Sequence, residues 1–198
     1  MKSAVFTLTC GFLLFFQNGA EGLQQGKVRA NTFLESPILQ TPEHGGQIES
    51  NYDGFNHETV VKLRKMKVTC AGKKGSFKDT CVSMIASLHC PGIQLDYVRY
   101  VTLQLNFETK DWDQRHPRDQ RNLMVVADGE TLKLGRMELV SQNVDTLMSE
   151  VLQVTMPYRT FRKIALAQLI EVQVGNSRFE LREKNLAALR DLNNRVKL

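Results

Sequence analysis

The sequence predicts a mainly β, α+β domain: an antiparallel, β-sandwich-like core with a short helix and a C-terminal amphipathic helix packed on it. Three observations carry this prediction. Apolar and polar residues alternate over several short runs, which is the period of a half-buried strand. An Asp128-Gly129 pair sits between two such runs, and a two-residue hairpin turn favours that pair because both central residues need positive φ. Leu186, Leu189, Leu192 and Val196 fall on one helical stripe near the end of the chain, and such a stripe needs a sheet to lie on.

The elements follow in order. Residues 59–70 (TVVKLRKMKVTC) are rich in β-branched side chains and alternate roughly with basic ones. They predict a strand with Lys62 and Arg64 turned to water. Residues 71–76 (AGKKGS) form a glycine-bounded turn, 77–88 a second strand, and Cys90-Pro91-Gly92 its stop. Residues 97–107 (YVRYVTLQLNF) put Val101, Leu103, Leu105 and Phe107 on one face. A polar loop over 110–121 carries the one tryptophan, Trp112. Residues 123–127 and 130–134 flank the Asp-Gly turn, and 137–140 and 147–156 add two strands. Pro157 opens a helix over 158–168, where proline is tolerated because its missing N–H has no partner to lose. Phe161, Ile164 and Ala165 mark its apolar face. Residues 169–174 and 178–181 make a hairpin around Gly175-Asn176, and 185–196 close the chain as a helix. The count is seven or eight strands and two helices.

The chain has 198 residues, 42% hydrophobic and 24% charged, enough for one ordinary domain with its own core. Residues 1–20 read as a secretory signal peptide: Lys2, an apolar run over 4–16, then the polar, small exit Gln17-Asn18-Gly19-Ala20. Cleavage is expected after Ala20, with Gly19 next. The run is shorter than the ~20 apolar residues a spanning helix needs, so no transmembrane span is expected in the mature chain. Cys10 lies inside the run rather than at its end, against a lipidation site. Residues 21–50 contain Pro37, Pro42, Gly45 and Gly46 and read as an extended, partly mobile lead-in that includes His44. Residues 51–198 form the single β-rich globular domain.

Several runs in that domain together resemble a loose group of uncharacterised exported bacterial proteins. They are Tyr52-Asp53-Gly54-Phe55, Val126-Ala127-Asp128-Gly129-Glu130, Ile170-Glu171-Val172, Phe179-Glu180-Leu181 and Asn185-Leu186-Ala187-Ala188-Leu189-Arg190. The resemblance covers about residues 51–198. It implies a bacterial, exported, single-domain protein and brings no activity, cofactor or catalytic residue with it. The expected location is periplasmic or extracellular.

In that compartment Cys70, Cys81 and Cys90 predict one disulfide and one remaining thiol, with the pairing open. A zinc site that adds His89 to these cysteines lacks the usual short spacing between its ligands, so no metal is expected. Gly72-Lys73-Lys74-Gly75-Ser76 has two residues between its glycines, where a phosphate loop needs four. Asp111, Trp112, Asp113 and His116 read as a surface loop with Trp112 packed on a sheet edge. No nucleophile elbow or His-Glu-x-x-His run occurs, and a triad assembled from distant residues is recognised only by geometry. No catalytic residue and no cofactor are assigned.

The formal charge is +5, and removal of Lys2 with the leader leaves about +4. The excess is mild and spread along the chain, with a basic stretch around the first hairpin at Lys62, Arg64, Lys65, Lys67, Lys73, Lys74 and Lys78. Exposed lysines there discourage edge-to-edge pairing, and Lys62, Arg64, Lys73, Lys74 and Lys78 together with Trp112 form the candidate binding surface. The expected function is a non-catalytic exported binding or envelope-associated module, its partner an anionic envelope component or another protein. Nucleic acid is not expected, since no aromatic-interleaved basic motif occurs. The alternative is an enzyme of unrecognised type, a hydrolase acting on envelope material.

Overall fold

In a computed structural model of the chain, the described residues include eleven strands in two antiparallel sheets and two α-helices, a sandwich-like arrangement. The structure describes residues 39–40, 44–70, 81–109, 116–144 and 148–196. All of these belong to one compact unit, Phe33–Leu198. The expected signal peptide over 1–20, most of the lead-in, the 71–76 turn and the Trp112 segment lie outside the described residues.

The larger sheet has seven strands in the order β1-β2-β3-β4-β5-β9-β8. Here β1 is Leu39–Gln40, β2 Gln47–Asp53, β3 Glu58–Cys70, β4 Cys81–Pro91, β5 Tyr100–Thr109, β8 Glu138–Val144 and β9 Met148–Met156. The smaller sheet has the order β11-β10-β6-β7, with β6 Asn122–Ala127, β7 Glu130–Arg136, β10 Ile170–Val174 and β11 Ser177–Leu181. Helices α1 (Tyr158–Leu166) and α2 (Glu183–Asn194) complete the unit.

The core lies where one face of each sheet meets the helices. Met84, Leu105 and Met156 from the large sheet, Val125 and Val172 from the small one, and Phe161, Ile164 and Leu189 from the helices surround one residual void of about 20 Å³. A void that small, lined by apolar groups, is the ordinary slack of a well-packed interior. Along β5, Val101, Leu103, Leu105, Phe107 and Thr109 are buried, while every residue between them is half-buried on the other face. That is the two-residue period the sequence displays.

The turns follow their chemistry. Asp128 and Gly129 both have positive φ (48° and 87°), and Ala127 pairs with Glu130 across them, as the Asp-Gly pair predicts. Asp128 does a second job. Its carboxylate accepts the backbone N–H groups of Gln168 and Leu169 (2.9 and 2.8 Å), which anchors the chain leaving α1 to this hairpin. Val174 pairs with Ser177 around Gly175-Asn176. A side chain at Gly175 would strike the Gln120 carbonyl at 2.4 Å, so this turn is glycine for space as well as for its φ of 54°. Asn185 fixes the start of α2: its Oδ1 accepts the Arg182 N–H (3.0 Å) and its amide donates to the Lys67 carbonyl of β3 (3.1 Å).

The elements depart from the sequence pattern at definite places. Strand β2 begins at Gln47, inside the segment read as lead-in, and pairs with β3 from Ile48↔Leu63 to Asp53↔Glu58. Only Ile48 among its side chains is a buried hydrophobe, so a strand held mostly by backbone pairing left little apolar trace. Just before it, His44 is buried rather than loose. Its Nδ1 accepts the Gly46 N–H (3.0 Å) and its Nε2 faces Asp191 of α2 (3.4 Å). Strand β4 runs through Cys90 to Pro91, because Cys90 still faces the core and proline is tolerated as a last strand residue. Strand β3 carries a register shift between Leu63 and Met66. Both of these are buried while Arg64 and Lys65 between them are exposed. A bulge of this kind lets two consecutive charged side chains stay in water. Between β7 and β8 the chain crosses from the small sheet to the large one at Met137, which is buried and donates its N–H to the Arg121 carbonyl (2.8 Å).

A disulfide joins Cys70 to Cys81, directly opposed on β3 and β4, and leaves Cys90 as a buried thiol. Burial pushes the Cys90 thiol up to about 11, with smaller contributions from Asp96 and Glu58. Among the described residues no helix is long and apolar enough to cross a membrane.

Replacing Cys70 and Cys81 together by Ser should lower stability by about 3 kcal/mol, the loop-closure value for a short bridge. Urea unfolding of the oxidised protein and the double variant measures it. Cys90 should resist alkylation in the folded protein at about pH 8 and react at once in denaturant, because a thiolate that is both suppressed and shielded is a poor nucleophile. Intact mass after timed alkylation reads this directly.

Candidate functional site

The outer face of the large sheet carries an open groove of about 480 Å³, within the roughly 300–1,000 Å³ of ligand-binding clefts. It lies across the middle strands, where β4 places the small side chain of Ser87. Ser87 forms part of its floor. The walls come from longer neighbours: Val60 and Lys62 on β3, Tyr100, Thr102 and Gln104 on β5, and Gln153 and Thr155 on β9. His89 of β4 closes one end.

At that end Glu58, His89 and Thr102 stand in a line. His89 Nδ1 lies 3.1 Å from Glu58 Oε1, and Nε2 lies 3.3 Å from Thr102 Oγ1. A carboxylate only accepts hydrogen bonds, so in the tautomer with Nδ1–H the ring donates to Glu58 and its Nε2 can accept the Thr102 hydroxyl. The Tyr100 ring stacks on the imidazole, with centroids 4.3 Å apart and planes at 18°. Burial raises the Tyr100 pKa above its ordinary value, and the Glu58 charge adds to this, so Tyr100 stays a neutral hydroxyl. Beyond the line the polar pairs continue. The Gln104 amide donates to Gln153 Oε1 (2.7 Å), Ser149 Oγ donates to Asn106 Oδ1 (2.8 Å), and the Asn106 amide donates to Glu108 (2.8 Å). Ser83, also on this face of β4, has a buried Oγ with no hydrogen-bond partner among the described residues.

Two segments border the His89 end: the 54–57 turn and the 92–99 loop. They are tied by the Gly92 N–H to the His57 carbonyl (2.7 Å) and by the Thr59 hydroxyl to the Gly92 carbonyl (2.7 Å). Asp53 holds the turn by accepting from Phe55 N, Asn56 N and the Asn56 amide, and these bonds, the Asn56 side chain first, keep its pKa below the usual carboxylate value. Phe55 and Ile93 stand 95% and 76% exposed on these segments.

A second line of carboxylate, imidazole and hydroxyl lies on the other side of the sheet. His116 Nδ1 is 2.8 Å from Glu150 Oε2, and Nε2 is 2.8 Å from Ser177 Oγ. Glu150 also accepts the His116 N–H (3.1 Å) and faces Arg121 (3.5 Å), whose Nε donates to the His116 carbonyl (2.8 Å). The three residues are far apart in sequence, and their distances match a nucleophile, base and orienting acid. Their setting differs from that of a working triad. Glu150 sits on the inner face of β9 with 1% of its surface exposed, and the 5% exposed imidazole packs on Phe107 with ring centroids 4.4 Å apart. Ser177 opposes Val174 on the inner face of the small sheet. The group joins the two sheets through buried hydrogen bonds, and we read it as a structural clasp.

Of the residues singled out from sequence, Lys62 lies in the groove. Arg64 is turned to water as expected but is engaged by Glu49 (3.1 Å), and the neighbouring Lys65 reaches Glu108 across the same face. Lys73, Lys74, Lys78 and Trp112 lie outside the described residues. Cys90 and His89 are adjacent on β4 and therefore point to opposite faces, so they do not converge on one ion. Among the described residues no group of three or more His, Cys, Asp or Glu is placed to hold a metal. Glu58, Tyr100, Thr102, Gln104 and Gln153 were missed. A signal for two of them was in the sequence: Thr102 and Gln104, with Asn106, are the successive outward positions of β5, uncharged polar groups where a freely solvated strand face more often carries charge. Comparison with known proteins finds no matching family model, no similar curated protein and no similar solved structure.

The clasp reading has a measurable consequence. Glu150→Ala leaves buried donors without their acceptor and should cost about 3 kcal/mol, whereas Ser177→Ala removes one neutral bond and should cost about 1 kcal/mol. Denaturant unfolding checks both. An Ser177→Ala variant that keeps its stability but loses a hydrolytic activity would identify the group as catalytic instead.

Proposed function

We propose that this chain is an exported, non-catalytic binding module that holds an envelope-associated ligand on the outer face of its large sheet. The observation that carries the reading is the contrast between the two faces. The inner face is filled, whereas the outer one keeps an open groove lined by polar side chains. The Cys70–Cys81 disulfide fits an oxidising compartment and agrees with the leader-like residues 1–20. Among the described residues Lys62 is the one lysine lining the groove. With Arg64 on the same strand it suits an anionic envelope component or an acidic protein surface; Lys73, Lys74, Lys78 and Trp112 of the expected binding surface lie outside the described residues.

The Glu58–His89–Thr102 line supports a second reading, a hydrolase of envelope material. A carboxylate on Nδ1 orients the ring and leaves Nε2 to take a proton from a hydroxyl or a bound water. His89→Ala separates the two readings. It should abolish turnover of envelope material if His89 is a base, and only weaken retention if the module binds without chemistry.

Reversing Lys62, Lys73, Lys74 and Lys78 to Glu should reduce retention of the exported protein on isolated envelope fractions by at least about tenfold, given roughly 1 kcal/mol per basic residue near an anionic surface. Co-sedimentation over a salt series measures this. Retention equal to that of the parent would remove the basic face from the reading.

A further inference from the structure

We infer that the groove is a glycan-binding site, in which a hydroxyl-rich chain lies across β3, β4, β5 and β9 and Lys62 contacts a carboxylate on that chain. The inference rests on the proposed binding role of this face and names its ligand class.

The groove keeps hydrogen-bonding capacity that its own side chains do not use. Gln104 and Gln153 use one donor and one acceptor on each other, and every primary amide has two donors and two acceptor positions. Each therefore keeps both kinds of group for a ligand. Ser87, Thr102, Thr155 and Tyr100 add hydroxyls that donate and accept. A ligand that satisfies such a lining must itself offer donors and acceptors in alternation, and sugar hydroxyls do so at every ring carbon that bears one.

Competing ligand classes fit less well. An acyl chain or an apolar peptide would cover the amides and hydroxyls with nothing to bond them, which is costly. A peptide recognised by strand addition needs a sheet edge, whereas the groove lies on the face of the four middle strands. A polyphosphate or nucleic acid needs a row of cations. Among the described residues the groove offers Lys62 and an imidazole already engaged by Glu58. One lysine matches a single carboxylate, as on a uronic acid.

The spacing of the lining also suits a ring-built polymer. Neighbouring strands are about 4.8 Å apart, and successive outward residues on one strand about 6.6 Å. Side chains on that grid meet hydroxyls on successive rings of an extended chain. Val60 and the exposed part of the Tyr100 ring supply the apolar contact that the C–H faces of sugars take.

The test uses the exported full-length chain and three hexasaccharides: β-1,4-linked glucose, N-acetylglucosamine and galacturonate. Binding is followed by calorimetry and by the side-chain amide NMR signals of Gln104 and Gln153. We expect saturable binding of the galacturonate chain with movement of both amide signals. Gln104→Ala and Gln153→Ala should each weaken it roughly fivefold, one ordinary hydrogen bond. Lys62→Gln should weaken galacturonate binding by a similar factor and weaken any binding of the two neutral chains less. Melting curves equal to the parent's show that the variants are folded. No binding of any hexasaccharide at millimolar concentration overturns the glycan inference, and so does binding indifferent to Gln104→Ala and Gln153→Ala. If retention on envelope fractions still depends on Lys62 in that case, the face remains a binding surface for another ligand. If retention also ignores Lys62 and Gln104, the binding reading of the groove falls with it.

Discussion

Along β4 and β5 the side chains change sides at every residue, so Val82, Met84, Leu88, Val101, Leu105 and Phe107 leave water together only if one whole face of the large sheet is covered. Burying such side chains is worth about 1.5–3 kcal/mol each, and the small sheet and the two helices supply that cover. The β6–β7 and β10–β11 hairpins pair through β6 and β10 into the small sheet. Helices α1 and α2 set Phe161, Ile164 and Leu189 against the same interior. Because the cover is complete on one side, the other face is left to water, and its side chains are free to serve recognition.

The two lines of carboxylate, imidazole and hydroxyl show how surroundings decide what an arrangement of groups does. Glu150, His116 and Ser177 meet between the sheets, where an unpaired polar group is expensive. Their bonds satisfy one another and tie the residues after the Trp112 segment to both sheets. Glu58, His89 and Thr102 make the same pattern on the outer face, where a ligand or water has access. Distances alone would rank the buried set first as a catalytic candidate. Burial and the direction of the strand faces reverse that ranking.

Charge on the outer face is more balanced than the run of lysines and arginines in β3 suggests. The bulge at Arg64 and Lys65 turns both outward, and each meets a carboxylate from a different strand, Glu49 on β2 and Glu108 on β5. Exposed pairs of this kind add little stability, but they lower the positive field around the groove. Lys62 then becomes the local cation that matters, and the remaining lining is neutral and rich in hydrogen-bonding groups.

The sequence by itself determined the mainly β class, the Asp128-Gly129 and Gly175-Asn176 hairpins, the proline-led helix and the apolar stripe of α2. Each depends on neighbours within a few residues: turn dihedrals, the missing proline N–H, and periods of 2 or 3.6. Tertiary structure alone decided which cysteines pair, because Cys70 and Cys81 become neighbours only when β3 and β4 align. It also decided that the chain changes sheets at Met137, that His44 docks on Asp191, and that Glu58, His89, Thr102, Gln104 and Gln153 share one groove. These contacts join residues up to 147 positions apart, and the disulfide joins two that are 11 apart. Local pattern cannot report strand order, and strand order sets which polar side chains stand side by side.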